Sequence, residues 1–269
     1  MKILITGATG FIGKHTIKRL APKHEIITWS RREGDLENLP TNIECVVHLA
    51  GAAGGNLETC VSSNIVPTAQ VLRAMEQRRI PRIVFLSGAA VYQDSPDVLD
   101  ESALLGSMTP YGISKIVAES LIKKWHELGT IKTAIILRGN NIYGPGSDHG
   151  VIAGFLAQAR TGAITVDGDG SQVREPVYID DAVSIIEKSI EVIREGVHIY
   201  NVSGPRAYTL SEIATQIGLV LGEEIPFHLS GKPAAPPLSL RLSVAKAEQE
   251  LGWKPTIDLA AGLAKIQRA

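Results

Sequence analysis

Short, nearly continuous apolar runs recur along the first two hundred residues, and longer segments of mixed polarity separate them. The short runs predict strands at 2–6, 25–29, 45–50, 82–87, 132–138 and 198–202. A strand that is apolar on both faces is typical of a parallel sheet covered by helices on either side. We therefore expect a central sheet whose two faces are both buried.

The segments between these runs carry apolar residues at helical spacing. They predict helices at 11–20, 56–78, 109–128, 151–161, 180–194, 209–221 and 243–251. Because strands and helices alternate along the chain, the connections should be right-handed crossovers between parallel strands. The predicted fold class is α/β, with a doubly wound parallel sheet.

The alternation loosens after about residue 146, where glycine and proline become more frequent, as in SGKPAAPPLS at 230–239. This change predicts two parts. Residues 1–150 together with about 177–203 should form the sheet domain. Residues from about 151–176, together with 204–269, should form a smaller C-terminal α/β lobe.

Composition and charge narrow the class of protein. The 269 residues are 44% hydrophobic and 20% charged, with a formal net charge of −1, which argues against nucleic acid or a membrane surface as a partner. No apolar run approaches the roughly 20 residues that span a bilayer, and the N-terminus is a strand rather than a signal peptide. Cys45 and Cys60 lack metal or redox spacing, so we expect no metal and a cytoplasmic location.

A glycine pattern, Gly7, Gly10 and Gly13, follows the first predicted strand and opens the first predicted helix. In that context glycine permits a tight turn and close approach of the backbone to a pyrophosphate, which the helix N-terminus stabilises. The pattern predicts a dinucleotide site. The alternative is a tight turn that binds no ligand.

The end of the second strand distinguishes NAD from NADP in such sites, because an acid there binds the ribose 2′-hydroxyl and an arginine accommodates a 2′-phosphate. The chain reads Ser30-Arg31-Arg32-Glu33, which favours NADP over NAD. In the alternative, both arginines are solvated and Glu33 contacts the ribose. Asp35 and Leu36 follow at positions suited to contacting the adenine.

Tyr111 and Lys115 are four residues apart on a predicted helix and therefore share a face. A free phenol has a pKa of about 10 and is a poor base near neutral pH. A lysine ammonium a few ångströms away would lower that pKa, and it could also donate to the nicotinamide ribose. The pair is a candidate acid–base centre. The alternative is a tyrosine and a lysine on a helix surface.

Seven motifs together resemble those of the extended short-chain dehydrogenase/reductases in the NAD-dependent epimerase/dehydratase family, which act on nucleotide sugars. They are ITGATGFIG, HLAG, FLSGAAVY, PYGISK, LRGNNIYGPG, GDGSQVREPVYIDDAV and ELGWKP, which cover nearly the whole chain in the family's order. The resemblance implies a Rossmann domain, a small sugar-nucleotide lobe, and a homodimer formed through helices 56–78 and 109–128.

The resemblance also implies roles for particular residues, with the catalytic tyrosine and lysine at Tyr111 and Lys115. The implied cofactor-binding positions are Gly7, Gly10, Phe11, Ile12, Gly13, Ser30, Arg31, Arg32, Asp35, Leu36, Leu49, Ala50, Gly51 and Lys115. The implied substrate-binding positions are Gly88, Ala89, Asn141, Arg174 and Arg241. Guanidinium groups suit a diphosphate. The alternative for Arg174 is a surface ion pair with Glu175, and the sequence around Arg241 matches the family less well.

One position departs from the family pattern. The serine or threonine that hydrogen-bonds the reacting sugar oxygen falls on Gly88, which has no hydroxyl. Three outcomes follow from the sequence. Ser87 replaces it through a local twist of the strand, a water or substrate hydroxyl fills the gap, or the protein is slow or inactive. Ser87 is therefore a candidate catalytic residue.

The same stretch bears on the reaction. Gly88, Ala89 and Ala90 provide no carboxylate where the family's dehydratases have one, which argues against dehydration. Only residues 37–44 separate Leu36 from the next strand, and this short connection is similar to the dTDP-4-dehydrorhamnose reductase branch. A 4-epimerase and a 4-keto reductase both remain open, as does a non-catalytic cofactor-binding protein that retains the fold.

Overall fold

The computed structural model describes residues 1–30, 39–222, 225–233 and 239–268. Its strands are β1 Lys2–Thr6, β2 Glu25–Trp29, β3 Cys45–His48, β4 Arg82–Gly88, β5 Val98–Leu99, β6 Thr133–Gly139, β7 Ile142–Tyr143, β8 Ile164–Val166, β9 Val173–Arg174, β10 Val177–Tyr178, β11 Gly196–Val202, β12 Tyr208–Thr209, β13 Phe227–Leu229 and β14 Arg241–Leu242.

The α-helices of the same residues lie between these strands and at the end of the chain. They are α1 Phe11–Leu20, α2 Leu57–Cys60, α3 Val66–Arg78, α4 Pro110–Glu127, α5 Gly150–Ala159, α6 Ile179–Ile190, α7 Leu210–Leu221, α8 Ala245–Leu251 and α9 Leu259–Gln267. No helix among the described residues combines the length and apolar character needed to cross a membrane.

The central sheet has six strands in the order β11-β6-β4-β3-β1-β2. β1 pairs in parallel with both β2 and β3, and β3 pairs in parallel with β4. All six members coincide with predicted apolar runs, so the α/β fold class is confirmed. The continuous apolar character of these runs arises because helices cover the sheet, as the full burial of β3 illustrates.

The helix predicted at 56–78 is not one continuous α-helix. A π-helical turn, Val61–Ile65, separates α2 from α3. Pro67 lies in the first turn of α3, and proline has no N–H to donate to the carbonyl four residues earlier. The α-helical ladder therefore cannot run unbroken through this segment, and π turns of this kind occur frequently at functional sites.

Internal contacts divide the chain into two units. The first comprises Met1–Tyr92, Leu104–Arg138 and Val183–Tyr200, and contains most of the central sheet. Its core packs α3 and α4 side chains, including Leu72, Met75 and Ile122, against Val46 and Phe85 of the strands. These side chains are almost fully inaccessible to solvent, so their burial supplies a large share of this unit's stability.

The second unit comprises Gln93–Ala103, Gly139–Ala182 and Asn201–Ala269. It thus includes 93–103 and 139–150, which the sequence-based division placed with the sheet. The strands of two or three residues were not predicted, because strands this short carry no readable alternation of polar and apolar residues. Helix α9 was not predicted either.

Asp181 holds the C-terminal segment in place through hydrogen bonds. Its carboxylate accepts from the backbone N–H groups of Thr256 and Ile257, and its backbone carbonyl accepts from Trp253 Nε1.

Candidate active site

The glycine loop between β1 and α1 is shaped by close backbone contacts. Gly7 has a φ of 73°, and a Cβ atom there would lie 2.7 Å from the backbone nitrogen of Ala50. A Cβ on Gly13 would overlap the carbonyl oxygen of Gly7. Both positions therefore require glycine, for backbone conformation at the first and for space at both.

The N-terminus of α1 has the properties of a diphosphate site. Gly10 is its N-cap, no side chain caps it, and no acidic residue lies in the first turn, which contains Phe11 and Ile12. By contrast, α4 and α7 are capped by the side chains of Thr109 and Thr209. Among the described residues, the N-cap therefore offers the first N–H groups of α1 no side-chain acceptor, and these groups carry the positive end of the helix dipole, which fits a dinucleotide.

The segment after β3 lies against this loop. Leu49 N–H donates to the Thr6 carbonyl and Ala50 N–H to the Thr6 hydroxyl. A Cβ atom on Gly51 would lie 2.7 Å from Asn64 Oδ1 and 3.4 Å from Lys115 Nζ. The structure therefore brings three predicted cofactor positions together with the predicted catalytic lysine.

Five more predicted cofactor positions follow β2 in the sequence. Ser30 directly follows that strand, whereas Arg31, Arg32, Asp35 and Leu36 lie outside the described residues. The preference for NADP thus continues to rest on sequence alone.

Tyr111 lies in the first turn of α4, and its phenol faces Gly88 at the end of β4. A Cβ atom on Gly88 would lie 2.7 Å from Tyr111 Oη. Lys115 lies one turn later on α4, and its Nζ donates to the carbonyl of Leu86 at 2.9 Å. Gly88 is followed by a 3₁₀ turn, Ala89–Val91, in which Ala89 is buried. The structure thus brings Tyr111 and Lys115 together with Gly88, the position that differs from the family pattern.

Burial dominates the electrostatics of the pair. It raises the pKa of Tyr111 to about 12, with Cys60 adding to the rise, and lowers the pKa of Lys115 to about 8, against the opposing effect of Glu119. The sequence predicted that Lys115 would lower the pKa of the phenol. In the free protein burial has the larger effect, and Lys115 Nζ is bound to a carbonyl and lies 5.9 Å from the Tyr111 ring centroid. In the free protein, burial therefore favours the protonated form of the phenol. The effect of Lys115 on the phenol with cofactor bound stays a prediction.

The side chain of Ser87 points away from the Tyr111 phenol. Its hydroxyl donates to Glu119 Oε1 at 2.7 Å, and Arg138 holds the same carboxylate through Nε and Nη2, at 3.1 and 2.8 Å. Successive side chains of a strand point to opposite faces, so the twist that would turn Ser87 toward Tyr111 does not occur. Ser87 is instead part of a buried network that also includes Tyr92, whose hydroxyl accepts from Arg138 Nη1.

Glu119 and Arg138 were not among the residues predicted from the sequence. A signal was present, because Arg138 ends an otherwise apolar strand and a buried guanidinium requires a partner. The identity of that partner was not readable, since Glu119 lies on α4, nineteen residues earlier.

Asn64 connects the loop after β3 to helix α4. Within the π turn, its Oδ1 accepts from Ala52 N–H, and its Nδ2 donates to Ser114 Oγ at 2.8 Å. Ser114 lies between Tyr111 and Lys115 on α4. The π turn therefore places one buried amide where it holds both segments.

The predicted substrate-binding residues Asn141, Arg174 and Arg241 all belong to the second unit. Asn141 has a φ of 43°, which is uncommon for a residue other than glycine. Arg174 Nη1 donates to the carbonyl of Val173, and burial lowers its pKa while Asp94 acts in the opposite direction. The carboxylate of Glu175 is held by other donors, Ser203 and Leu242, so the geometry does not favour the surface ion pair with Arg174.

Comparison with known proteins identifies relatives over the full length. The model of the family described as "NAD dependent epimerase/dehydratase family" matches residues 3–203. A protein of Methanocaldococcus jannaschii named "Putative UDP-glucose 4-epimerase" is 30% identical over an alignment of 306 positions, gaps included, which covers 98% of this chain and 96% of that protein. "UDP-glucuronic acid decarboxylase 6" of Arabidopsis thaliana is 28% identical, covering 98% and 87%.

Among solved structures, one described as "MoeE5 in complex with UDP-glucose and NAD" superimposes with a TM-score of 0.89 at 25% identity. The superposition covers 99% of this chain and 98% of that one.

Proposed function

Since this chain belongs to the NAD-dependent epimerase/dehydratase family, we propose that it is a nucleotide-sugar 4-epimerase in which Tyr111 and Lys115 act at C4 of the sugar. The observation that carries this proposal is the position of the half-buried Tyr111 phenol, which faces Gly88 and has Lys115 Nζ 5.9 Å from its ring centroid. Lys115 Nζ in turn lies beside Gly51, in the unit that holds the glycine loop. An acid–base group next to a dinucleotide site is what hydride transfer from a secondary alcohol requires.

We propose NAD as the resident cofactor, since the UDP-glucose complex named above contains it. When bound, NAD would supply the hydride acceptor and donor that inversion at C4 requires. The N–H groups that begin α1 would hold its diphosphate, and Gly7 and Gly13 would leave the space for it. Arg31 and Arg32 favour NADP instead, so the cofactor released on denaturation is the direct test of this point.

Tyr111 holds the proton in this scheme. As the phenolate, its Oη would take the proton of the C4 hydroxyl and become a phenol, and it would later return that proton to the C4 oxygen. Lys115 lowers the cost of the phenolate by its positive charge, once a bound positive ring and the sugar exclude water. Gly88 contributes no hydroxyl and Ser87 is engaged with Glu119, so a water or a substrate hydroxyl must complete the hydrogen bonding.

We propose that the substrate is a UDP-sugar, as in the names of the relatives. Asn141, Arg174 and Arg241 would bind its diphosphate, because guanidinium groups match phosphate oxygens in charge and geometry. Dehydration is excluded from the proposal, since the residues after Ser87 provide no carboxylate.

The test is to purify the protein, identify the dinucleotide it carries, and incubate it with UDP-glucose, UDP-galactose and UDP-glucuronic acid. Interconversion of 4-epimers without net consumption of cofactor supports the proposal, and Tyr111→Phe should reduce turnover by at least about 100-fold. Consumption of added NADPH with a 4-keto sugar would instead identify a reductase, and release of carbon dioxide from UDP-glucuronic acid would identify a decarboxylase.

The missing hydroxyl at Gly88 favours one further candidate function, that of a protein that binds the cofactor but does not turn over a substrate. Binding of dinucleotide by both the wild type and Tyr111→Phe, with no conversion of any UDP-sugar by either, would establish it. Retention of the half-buried phenol beside Lys115 is the reason that we prefer the enzyme.

We also propose a homodimer. Leu57, Val61 and Val66 along α2, the π turn and α3, and Ile113 on α4, are apolar and between 38% and 58% exposed. Burial of such a face in a symmetric interface removes apolar area from water. Light scattering on the wild type and on Leu57→Glu tests this proposal. The cytoplasmic location remains a prediction from composition.

A further inference from the structure

Glu175 has a half-buried carboxylate that joins two distant segments of the second unit. Its Oε2 accepts hydrogen bonds from the Ser203 hydroxyl at 2.9 Å and from the backbone N–H of Leu242 at 2.7 Å. Glu175 directly follows Arg174, and Leu242 directly follows Arg241. One oxygen atom thus ties together the two segments that carry the arginines.

A second branch of the same network leads to Asn141. Asn140 is 1% exposed, and its Nδ2 donates to Ser203 Oγ and to the carbonyl of Leu240, both at 3.1 Å. Its Oδ1 accepts from Asn141 Nδ2 at 2.6 Å. Because Asn141 has a left-handed backbone conformation, it depends on its surroundings to remain there. The hydrogen bonds that begin at Glu175 therefore end on the third substrate-binding position.

We propose that Glu175 is a positioning residue, which holds Asn141, Arg174 and Arg241 in one arrangement and so sets the affinity of the chain for the diphosphate of a nucleotide sugar. This inference rests on the proposed function, since it concerns binding of that substrate. Glu175 itself has no assigned contact with the ligand, and it acts through Ser203, Asn140 and the backbone of Leu242.

The charge of Glu175 works against anion binding, and its hydrogen bonds work for it. A negative group beside the arginines weakens their attraction for phosphate. Without an acceptor at this place, however, the Leu242 N–H would lose its partner and the segment would be free to move. A positioning role therefore predicts that the acceptor oxygen matters and that the charge does not.

Two substitutions separate these effects. Glu175→Gln keeps an acceptor oxygen and removes the charge, whereas Glu175→Ala removes both. Glu248→Ala is the matched control, because Glu248 belongs to the same unit and is an exposed partner of Lys254. Binding of UDP and of a UDP-sugar is measured by calorimetry, steady-state constants are measured with the UDP-sugar, and exchange of the Leu242 amide is measured in the free protein by hydrogen–deuterium exchange.

We expect Glu175→Ala to weaken UDP binding and raise KM by roughly 10-fold, with kcat within about twofold of the wild type and faster exchange at Leu242. Glu175→Gln and the control should stay within about threefold of the wild type in all three measurements. Equal UDP affinity for Glu175→Ala and the wild type would overturn the proposal. So would tighter UDP binding by Glu175→Gln and Glu175→Ala alike, which would show an effect of charge.

A failure of the proposed function would give a different result from a failure of the positioning role of Glu175. In that case the wild type itself would bind neither UDP nor a UDP-sugar, and the positioning proposal would fall with it. If the wild type binds and Glu175→Ala binds equally well, the proposed function stands and only the role of Glu175 is refuted. Unchanged exchange at Leu242 in Glu175→Ala would refute that role without any ligand.

Discussion

Replacing Gly88 by alanine tests whether the open space beside the phenol is required for turnover. The backbone of Gly88 has φ −141° and ψ 152°, an extended conformation that any residue adopts. The change therefore introduces one methyl group and no backbone strain. Alanine is also favoured over glycine in a strand interior by roughly 0.5–1 kcal/mol, which offsets part of the cost of displacing the Tyr111 side chain.

The size of the effect follows from the contact. The new Cβ would lie 2.7 Å from Tyr111 Oη, whereas ordinary contacts begin near 3.4 Å. The phenol must therefore move by at least about 0.7 Å, the difference between these distances. A displacement of about 1 Å in a reacting group can cost about 100-fold in rate. We expect kcat to fall by roughly 10- to 100-fold, or about 1.4–2.7 kcal/mol in activation free energy.

The assay compares kcat for UDP-sugar epimerisation, dinucleotide affinity by fluorescence, and the free energy of unfolding in urea. Gly54→Ala is the matched control, because a Cβ on Gly54 meets nothing within 4 Å. Both variants should bind dinucleotide normally, and only Gly88→Ala should lose turnover.

Gly88→Ser separates space from chemistry, since it makes the same contact and adds a hydroxyl. We expect it to be as slow as Gly88→Ala. A kcat for Gly88→Ala within twofold of the wild type would refute the geometric reasoning. A Gly88→Ser variant faster than the wild type would show that the missing hydroxyl, and not the space, limits the reaction.

Three further outcomes are expected. His48 is buried with its ring nitrogens against the hydroxyls of Thr6 and Thr68, and burial lowers its pKa to about 3. The unfolded chain therefore binds a proton that the folded one does not, and between pH 6.5 and 3 its contribution to the free energy of unfolding should fall by up to about 1.4 kcal/mol per pH unit. Urea unfolding of His48→Asn should show a shallower pH dependence in that window, and equal slopes would contradict this. Arg138→Met should lower the free energy of unfolding by about 3–5 kcal/mol, because the buried Glu119 carboxylate loses its two-point ion pair and keeps only the Ser87 hydroxyl and, at 3.9 Å, the Lys123 ammonium; adding Glu119→Leu should recover much of it. Gly13→Ala should abolish dinucleotide binding in a fluorescence titration, because its methyl group would displace the backbone of the glycine loop; unchanged affinity would exclude that loop as the diphosphate site.

The sequence alone determined the strand and helix pattern of the first unit. β1, β2 and α1 begin and end at the predicted residues, because apolar periodicity is a local property of the chain. The glycine loop and the spacing of Tyr111 and Lys115 are local in the same way, so they were readable without coordinates. The short strands of the second unit were not, since their pairing partners lie far away in the chain.

What each side chain faces was decided only by the tertiary structure. Ser87 and Gly88 are neighbours in the sequence, yet one hydroxyl is buried against Glu119 and the other position lies open to Tyr111. The upward shift in the pKa of Tyr111 likewise comes from burial, which long-range packing produces. It could not be read from the nearby lysine that the sequence shows. The links from Glu175 to Ser203 and Leu242 span 28 and 67 residues. Such contacts are fixed by the fold as a whole, because no local pattern specifies which distant donor a carboxylate will meet.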